Sequence, residues 1–404
     1  MRIRIRISIN QIIIRLLFLF PLGTVISNVP GIGNIVNKVL YAFFIVSVLV
    51  GLINKPLRKI DALALVLLTV MFIYDLMITG NKMYNSNEVY YLVTWVVYLI
   101  YVRINYENFK REICNSLPFI KSTIILWNLL VGVSLLLPSC WARSGAFYSF
   151  AGGQHRMDSA AVMVLAGTLI LYRYLNYRKS IIVFTIVPCI AVIFSGARTY
   201  LLVVGIIMTV YYYYINIEHP YRFWLTIIPI LIVAMVGIMS TSVMQERIAT
   251  METDAVYFSS KGYNALTGIT SGRSMFWLID LEKYWESPLV NQILGNGFNF
   301  VRYVNKIYYK NAIWAHNDFI NIICCNGVIG LCLYFFAYFK MVQCSISAKM
   351  SKKVRRFMLA AFHICCMGNA MFNMLYSYFA AALAVPVLLF AMMDCDILPE
   401  RKIQ

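Results

Sequence analysis

Long apolar runs, interrupted by short clusters of charged, turn-forming and aromatic residues, dominate the pattern along this chain. At about 20 apolar residues per membrane crossing, twelve helices can be drawn. They fall near 11–29, 35–53, 60–79, 88–102, 117–137, 159–175, 180–196, 198–215, 222–240, 318–340, 354–373 and 375–394. The fourth is short, and the seventh and eighth meet in a tight turn. The pattern predicts an all-α polytopic membrane protein of about twelve transmembrane helices, a single integral membrane domain over 1–404. One connection is out of proportion: residues 241–315, between the ninth and tenth helices, form a loop of about 75 residues. A connection of that length within a compact bundle is usually functional.

Composition agrees with the pattern. The chain is 61% hydrophobic and 13% charged, with mean hydropathy +0.73, more apolar surface than a soluble domain could hide. The first apolar run follows "MRIRIRISIN" without a small-residue cleavage site and is expected to stay as a helix. Most of the ten cysteines lie inside apolar runs, and no CxxC pair or Cys/His metal spacing occurs, so they read as small hydrophobes.

The formal charge of +18 would suit a nucleic-acid partner, but its placement says otherwise. With the N-terminus inside, inner segments carry 21 basic residues, from Arg2, Arg4 and Arg6 to Arg401 and Lys402. The short outer loops hold only Lys82, Arg143, Arg156 and Arg198. That asymmetry is a topology signal that places both termini in the cytoplasm. The long loop is nearly neutral, with seven basic and six acidic residues. Within it, Thr270 to Val290 reads as a helix capped by Thr270 or Ser271 and stopped at Ser287-Pro288. Arg273, Trp277, Leu281 and Tyr284 share one of its faces. Trp277, Tyr284 and Trp285 suit a helix at the headgroup level. "LGNGFNF", Leu294 to Phe300, reads as a turn.

Three polar features stand at the outer ends of helices: Arg198 in the turn "SGARTY", Arg273 opening the loop helix, and His316 at the mouth of the tenth span. Taken singly, each has a plain reading: a snorkelling arginine, a solvated arginine and a hydrogen-bonded histidine. Asn317 and Asp318 suit the capping of the helix they begin. Together the three supply a different chemistry. Two guanidiniums can grip a pyrophosphate bidentately, a neutral imidazole can take a proton from a sugar hydroxyl, and the helix mouth favours anions. Arg143, Arg156, Asn317 and Trp277 are the candidate substrate contacts around them. His155 and Asp158 lie in the same outer connection as Arg143. Asp75 is an intramembrane acid whose alternative is a hydrogen bond to a neighbouring helix. His363 reads as a core hydrogen-bonding residue, and the Tyr211 to Tyr214 run as an inner aromatic belt.

"SGARTYLL", "SGRSMFW", "AHNDFINIICCNGVIGL" and "RSGAFYSFAGGQHRMDSAAVMVLAG" resemble the recurrent segments of the bacterial O-antigen polymerase and O-antigen ligase superfamily, chiefly over residues 143–335. The spacing of His316 to Gly327 and Gly330 is similar to that family's histidine followed by a glycine pair. The resemblance implies a metal-independent glycosyltransferase of the inner membrane with its active site facing the periplasm, so that 241–315 becomes a large periplasmic loop. The donor is then an oligosaccharide on undecaprenyl pyrophosphate. Arg198 and Arg273 hold the leaving group, and His316 orients or deprotonates the acceptor. A lipid-linked acceptor and a chain-length regulator are the implied partners, with no cofactor. No outer Asp-x-Asp offers a metal site; "DCD", Asp394 to Asp396, lies on the inner side.

Polymerase is the preferred reading because such proteins are numerous and varied. A ligase acting on lipid A-core shares the signatures. A flippase or transporter would be expected to show repeated halves and a charged midplane path.

Overall fold

The computed structural model describes residues 8–53, 55–80, 88–142, 145–151, 153–175, 180–215, 273–346 and 366–376, with scattered positions between 221 and 249. These residues are helical apart from connections and one isolated bridge between Trp141 and Phe147. The helices are α1 (Ile9–Val25), α2 (Gly33–Ile53), α3 (Lys59–Thr79), α4 (Glu88–Ile104), α5 (Tyr106–Asn115), α6 (Leu117–Leu135), α7 (Gln154–Leu175), α8 (Ser180–Ser195) and α9 (Arg198–Ile215). After the long connection come α10 (Arg273–Trp285), α11 (Leu289–Leu294), α12 (Phe300–Tyr309) and α13 (Asp318–Ile346). Residues 366–373 are also helical.

α1 starts where Ser8 Oγ accepts the Gln11 N–H at 3.2 Å, a side-chain cap for an otherwise orphan donor. It packs against α2, α6 and α7, burying Ile13, Ile14, Leu17 and Phe18 completely or nearly so. α4 is buried along most of its length and lies against α13. On other helices the pattern is reversed. Val39, Phe43, Val46 and Val50 of α2 are exposed at helical spacing. So are Leu63, Val66, Val70, Ile73 and Met77 of α3, and Leu126, Leu129 and Val133 of α6. Continuous apolar stripes on the outside are what a bilayer, not water, accommodates. α3, α6, α13 and residues 35–53 of α2 are long and apolar enough to cross a membrane, and α1, α8 and α9 contain shorter apolar stretches. This is a helical membrane protein.

Cross-links fix the alternation of the helices. At one end the buried Lys340 Nζ lies 2.6 Å from Asp61 Oδ1, and Tyr101 OH donates to Asn10 Oδ1. At the other, the Phe298 N–H donates to Thr79 Oγ1 at 2.8 Å, and Asn28 N to the Phe150 carbonyl at 3.0 Å. α10 to α12 cover that second end, here called the loop end.

Eight of the twelve expected spans match described helices closely: 11–29, 35–53, 60–79, 88–102, 117–137, 159–175, 180–196 and 198–215. The tenth runs on to Ile346 but is broken at Gly327. Of the ninth only scattered positions are described, helical at 224, 225, 228, 232, 236, 237 and 239, and most of the last two lie outside the described residues. Three helices were not expected. α5 is amphipathic and occupies the polar link after α4, and α11 and α12 fill the end of the long connection.

The loop helix stops short of Val290: α10 ends at Trp285, and Ser287 Oγ donates to the Tyr284 carbonyl at 2.5 Å before Pro288. The expected caps Thr270 and Ser271 lie outside the described residues. Its aromatic face also differs. Tyr284 is fully buried, and Trp277 and Leu281 pack against the cluster it forms with Val301, Ala315 and Cys324 and Cys325 of α13. Only Trp285 of the three aromatics is exposed. Packing on α13 hides more apolar area than contact with headgroups would.

Candidate functional site

The loop-end mouth of α13 is built by a short irregular segment between two helices. Lys310 ends α12 in the left-handed region, and Asn305 Nδ2 donates to the Ile313 carbonyl at 3.2 Å. The Trp277 indole N–H donates to the Ala315 carbonyl at 2.6 Å. His316 then takes φ 53°, a conformation that costs a non-glycine residue unless its surroundings enforce it. Asn317 Oδ1 accepts from the N–H groups of Phe319 and Ile320 at 3.0 and 3.1 Å and starts the helix. Such a cap is worth about 1 kcal/mol. Asp318 does not share that work. Its Oδ2 accepts from Tyr334 OH at 3.1 Å and from Tyr376 N at 3.2 Å.

His316 is half-buried, its Nδ1 is closed to solvent, and that atom has no hydrogen-bond partner among the described residues. Burial, reinforced by the Arg273 guanidinium and then by His155, pushes the imidazole down to about 3, so it is neutral at pH 7. Arg273, 43 positions away in the chain, is thus within electrostatic reach of His316. Arg273 Nη1 donates to the Phe372 carbonyl at 2.5 Å. The His155 ring lies 6.4 Å from the His316 ring, and the Tyr200 ring 6.1 Å from His155.

Tyr200 is in the first turn of α9, two positions after Arg198, so the "SGARTY" turn faces the same place. That turn is bolted to α7: Ser195 Oγ donates to Asp158 Oδ2 at 3.0 Å and accepts from Ala197 N at 3.2 Å. Gly196 makes the bend at φ 72°. Asp158 is one helical turn beyond His155, fully buried, and acts here as an anchor.

A second polar network supports the mouth. Asn321 Nδ2 donates to Glu88 Oε1 at 3.0 Å and to Tyr376 OH at 2.8 Å. It ties α4, α13 and the 374–376 turn together, and that turn follows the carbonyl that holds Arg273. Arg302 of α12 stacks on Trp314, 5.4 Å from the ring centroid.

Of the residues singled out from sequence, His316, Arg273 and Trp277 are brought together, with Asn317 as the cap beneath them. Arg156 is exposed beside His155 at the start of α7. Arg198 opens α9, but its side chain, like Arg143 and His363, lies outside the described residues. Asp75 follows its structural alternative: Asn326 Nδ2 donates to its Oδ2 at 2.7 Å. The pairing of His155 with His316, and the positions of Glu88 and Arg302, were not foreseen. Histidine scarcity was the available signal, since the chain has four.

Chemically, the site offers a neutral imidazole within reach of a guanidinium's charge, at the end of a helix. It could accept a proton from a hydroxyl next to a bound anion. Compared with known proteins, the chain matches no family model and no curated sequence.

Proposed function

We propose that this protein is a membrane-embedded glycosyltransferase that polymerises lipid-linked oligosaccharides, an O-antigen polymerase. In this reading the bundle has about twelve spans in a bacterial inner membrane. Both termini are cytoplasmic, and the loop end faces the periplasm. The donor is a chain on undecaprenyl pyrophosphate, the acceptor a second lipid-linked repeat, and a chain-length regulator is the expected protein partner.

The observation that carries the reading is the convergence at the α13 mouth of the His316 and His155 rings, 6.4 Å apart, with the Arg273 charge within electrostatic reach of the His316 imidazole. In the reaction, an acceptor hydroxyl attacks the anomeric carbon, the bond to the diphosphate breaks, and the hydroxyl proton passes to His316. The negative charge of the bound diphosphate makes that imidazole more basic than it is in the substrate-free protein. Arg273, with Arg198, holds the departing diphosphate. Developing charge on that group is where a transition state gains most from fixed cations. Trp277 sets the backbone at His316, and Asn317 starts the helix that presents it.

The test uses the purified full chain in lipid nanodiscs with a defined polyprenyl-pyrophosphate oligosaccharide, with and without chelator. Product length is read by gel and mass spectrometry. Elongated lipid-linked product that resists chelator is expected. Arg273→Ala and His316→Ala should each reduce it by roughly 100-fold or more. Wild-type chain lengths in both variants would remove the site. Product formed only on added lipid A-core would make the protein a ligase instead.

A further inference from the structure

α13 is not one continuous helix. Gly327 has φ 67° and ψ −171°, which interrupts the backbone ladder about 14 Å along the axis from Asp318 at ~1.5 Å per residue. A Cβ at Gly327 would stand 2.4 Å from the Ile293 carbonyl oxygen, so the backbone of α11 approaches the break directly. The carbonyls exposed by the break are taken up by the segment after α11. Asn296 Nδ2 and Gly297 N donate to Cys324 O and Cys325 O, both at 3.1 Å. Residues 295–299 are buried, although their backbone is irregular, with positive φ at Gly295, Gly297 and Asn299. Tyr74 OH of α3 donates to Asn291 Oδ1 at 2.8 Å.

Such a segment cannot ride above the bundle. It enters at the depth of the last turn of α3, where irregular backbone survives only when protein satisfies its polar groups. Its outward side is apolar. Leu289 is 70% exposed, Val290 54% and Ile293 42%. On α3, Met77, one turn from Tyr74, is 77% exposed, and Ile73 is exposed as well. The apolar side of α11 therefore continues the apolar stripe of α3.

We propose that residues 286–299 form a re-entrant element of the bilayer, with Leu289, Val290 and Ile293 in contact with lipid acyl chains and Trp285 at the headgroup level. The long connection is then clamped into the membrane through the α13 break rather than lying over it. This inference does not depend on the transferase reading.

The experiment places single spin labels at Leu289→Cys, Val290→Cys and Ile293→Cys in the full chain. The protein is reconstituted in phosphatidylcholine–phosphatidylglycerol vesicles, and the signal of the unsubstituted protein is subtracted. Lys310→Cys and Asn311→Cys, exposed on the same connection, serve as aqueous controls. Collisions with oxygen should exceed those with a water-soluble nickel complex at the three α11 sites, and the order should reverse at the controls. Preference for the nickel complex at α11 overturns the proposal. Exclusion of both reagents also overturns it, because a second copy or another protein would then cover the face. If the labelled variants do not fold, quenching by brominated acyl chains gives the answer. The fluorescence lost in Trp285→Phe must be a component that bromolipid quenches; an unquenched component rejects the inference.

Discussion

The Trp277 indole N–H and the Ala315 carbonyl, 2.6 Å apart, join the loop helix α10 to the residue immediately before His316. Through this bond a side chain 38 positions upstream sets the backbone at the mouth of α13.

Trp277→Phe keeps a ring against α13 and removes only the N–H. The expected cost in stability is about 1 kcal/mol. Transfer should fall more than stability does, by roughly 10-fold in kcat, equivalent to about 1.4 kcal/mol of lost positioning. Thermal melts and steady-state kinetics on the same preparation separate the two. Equal activity in Trp277→Phe would mean that the bond does not govern His316.

His316 should remain neutral from about pH 5 to pH 8 in the substrate-free protein. Its folded value near 3 lies below the ordinary value near 6.5. Between the two the unfolded chain binds a proton that the folded chain does not. The contribution of His316 to stability is thus complete above about pH 6.5 and declines as pH falls toward 3. Arg273→Ala removes a cation and should move the imidazole upward, leaving burial as the main remaining cause. Side-chain nitrogen NMR, assigned with His316→Gln, reads both. A midpoint near 6.5 in the unsubstituted protein would refute the buried-imidazole account.

Asp280 gives the opposite sign. Burial raises its carboxyl to about 8, only partly offset by Asn305 Nδ2 at 3.4 Å, with Cys324 packed on the same helix. The folded chain holds the proton through roughly pH 4 to 8 while the unfolded chain has lost it. Stability is therefore expected to fall as pH rises through that window. Asp280→Asn should flatten the slope and add ~1–3 kcal/mol above pH 8. Melting temperatures across pH for both proteins decide it.

At the far end of the bundle, Lys340 and Asp61 form a buried pair at 2.6 Å. Asp61→Ala alone should cost ~3–5 kcal/mol, because it strands a buried ammonium. Replacing both partners together, as Asp61→Leu with Lys340→Met, should cost far less. A double-mutant cycle in detergent gives the coupling energy; additive losses would show that the pair is not coupled.

Several local features were legible because they need only neighbours in the chain. Ser287-Pro288 stops α10, and the glycines of "LGNGFNF" make the turn after α11. Asn317 begins α13, and apolar runs of sufficient length became helices. Gly327 was visible as a glycine within an apolar run, but its positive φ was not, since a glycine there can equally continue a helix. Trp277 and Tyr284 illustrate the same limit. Their amphipathic character fits a headgroup helix or a buried face with its polar atoms bonded inward, and only the neighbouring α13 selects the second.

Hydropathy and helical period by themselves determined that this chain builds apolar helices with polar mouths, because desolvation of side chains and backbone is a local property of each segment. Which mouths meet was decided by tertiary structure. His155, His316 and Arg273 come from three segments, and Arg273 is held by the Phe372 carbonyl, a backbone group that no residue type announces. Contacts of that kind arise from the packing of whole helices, so their partners are fixed only when the bundle closes.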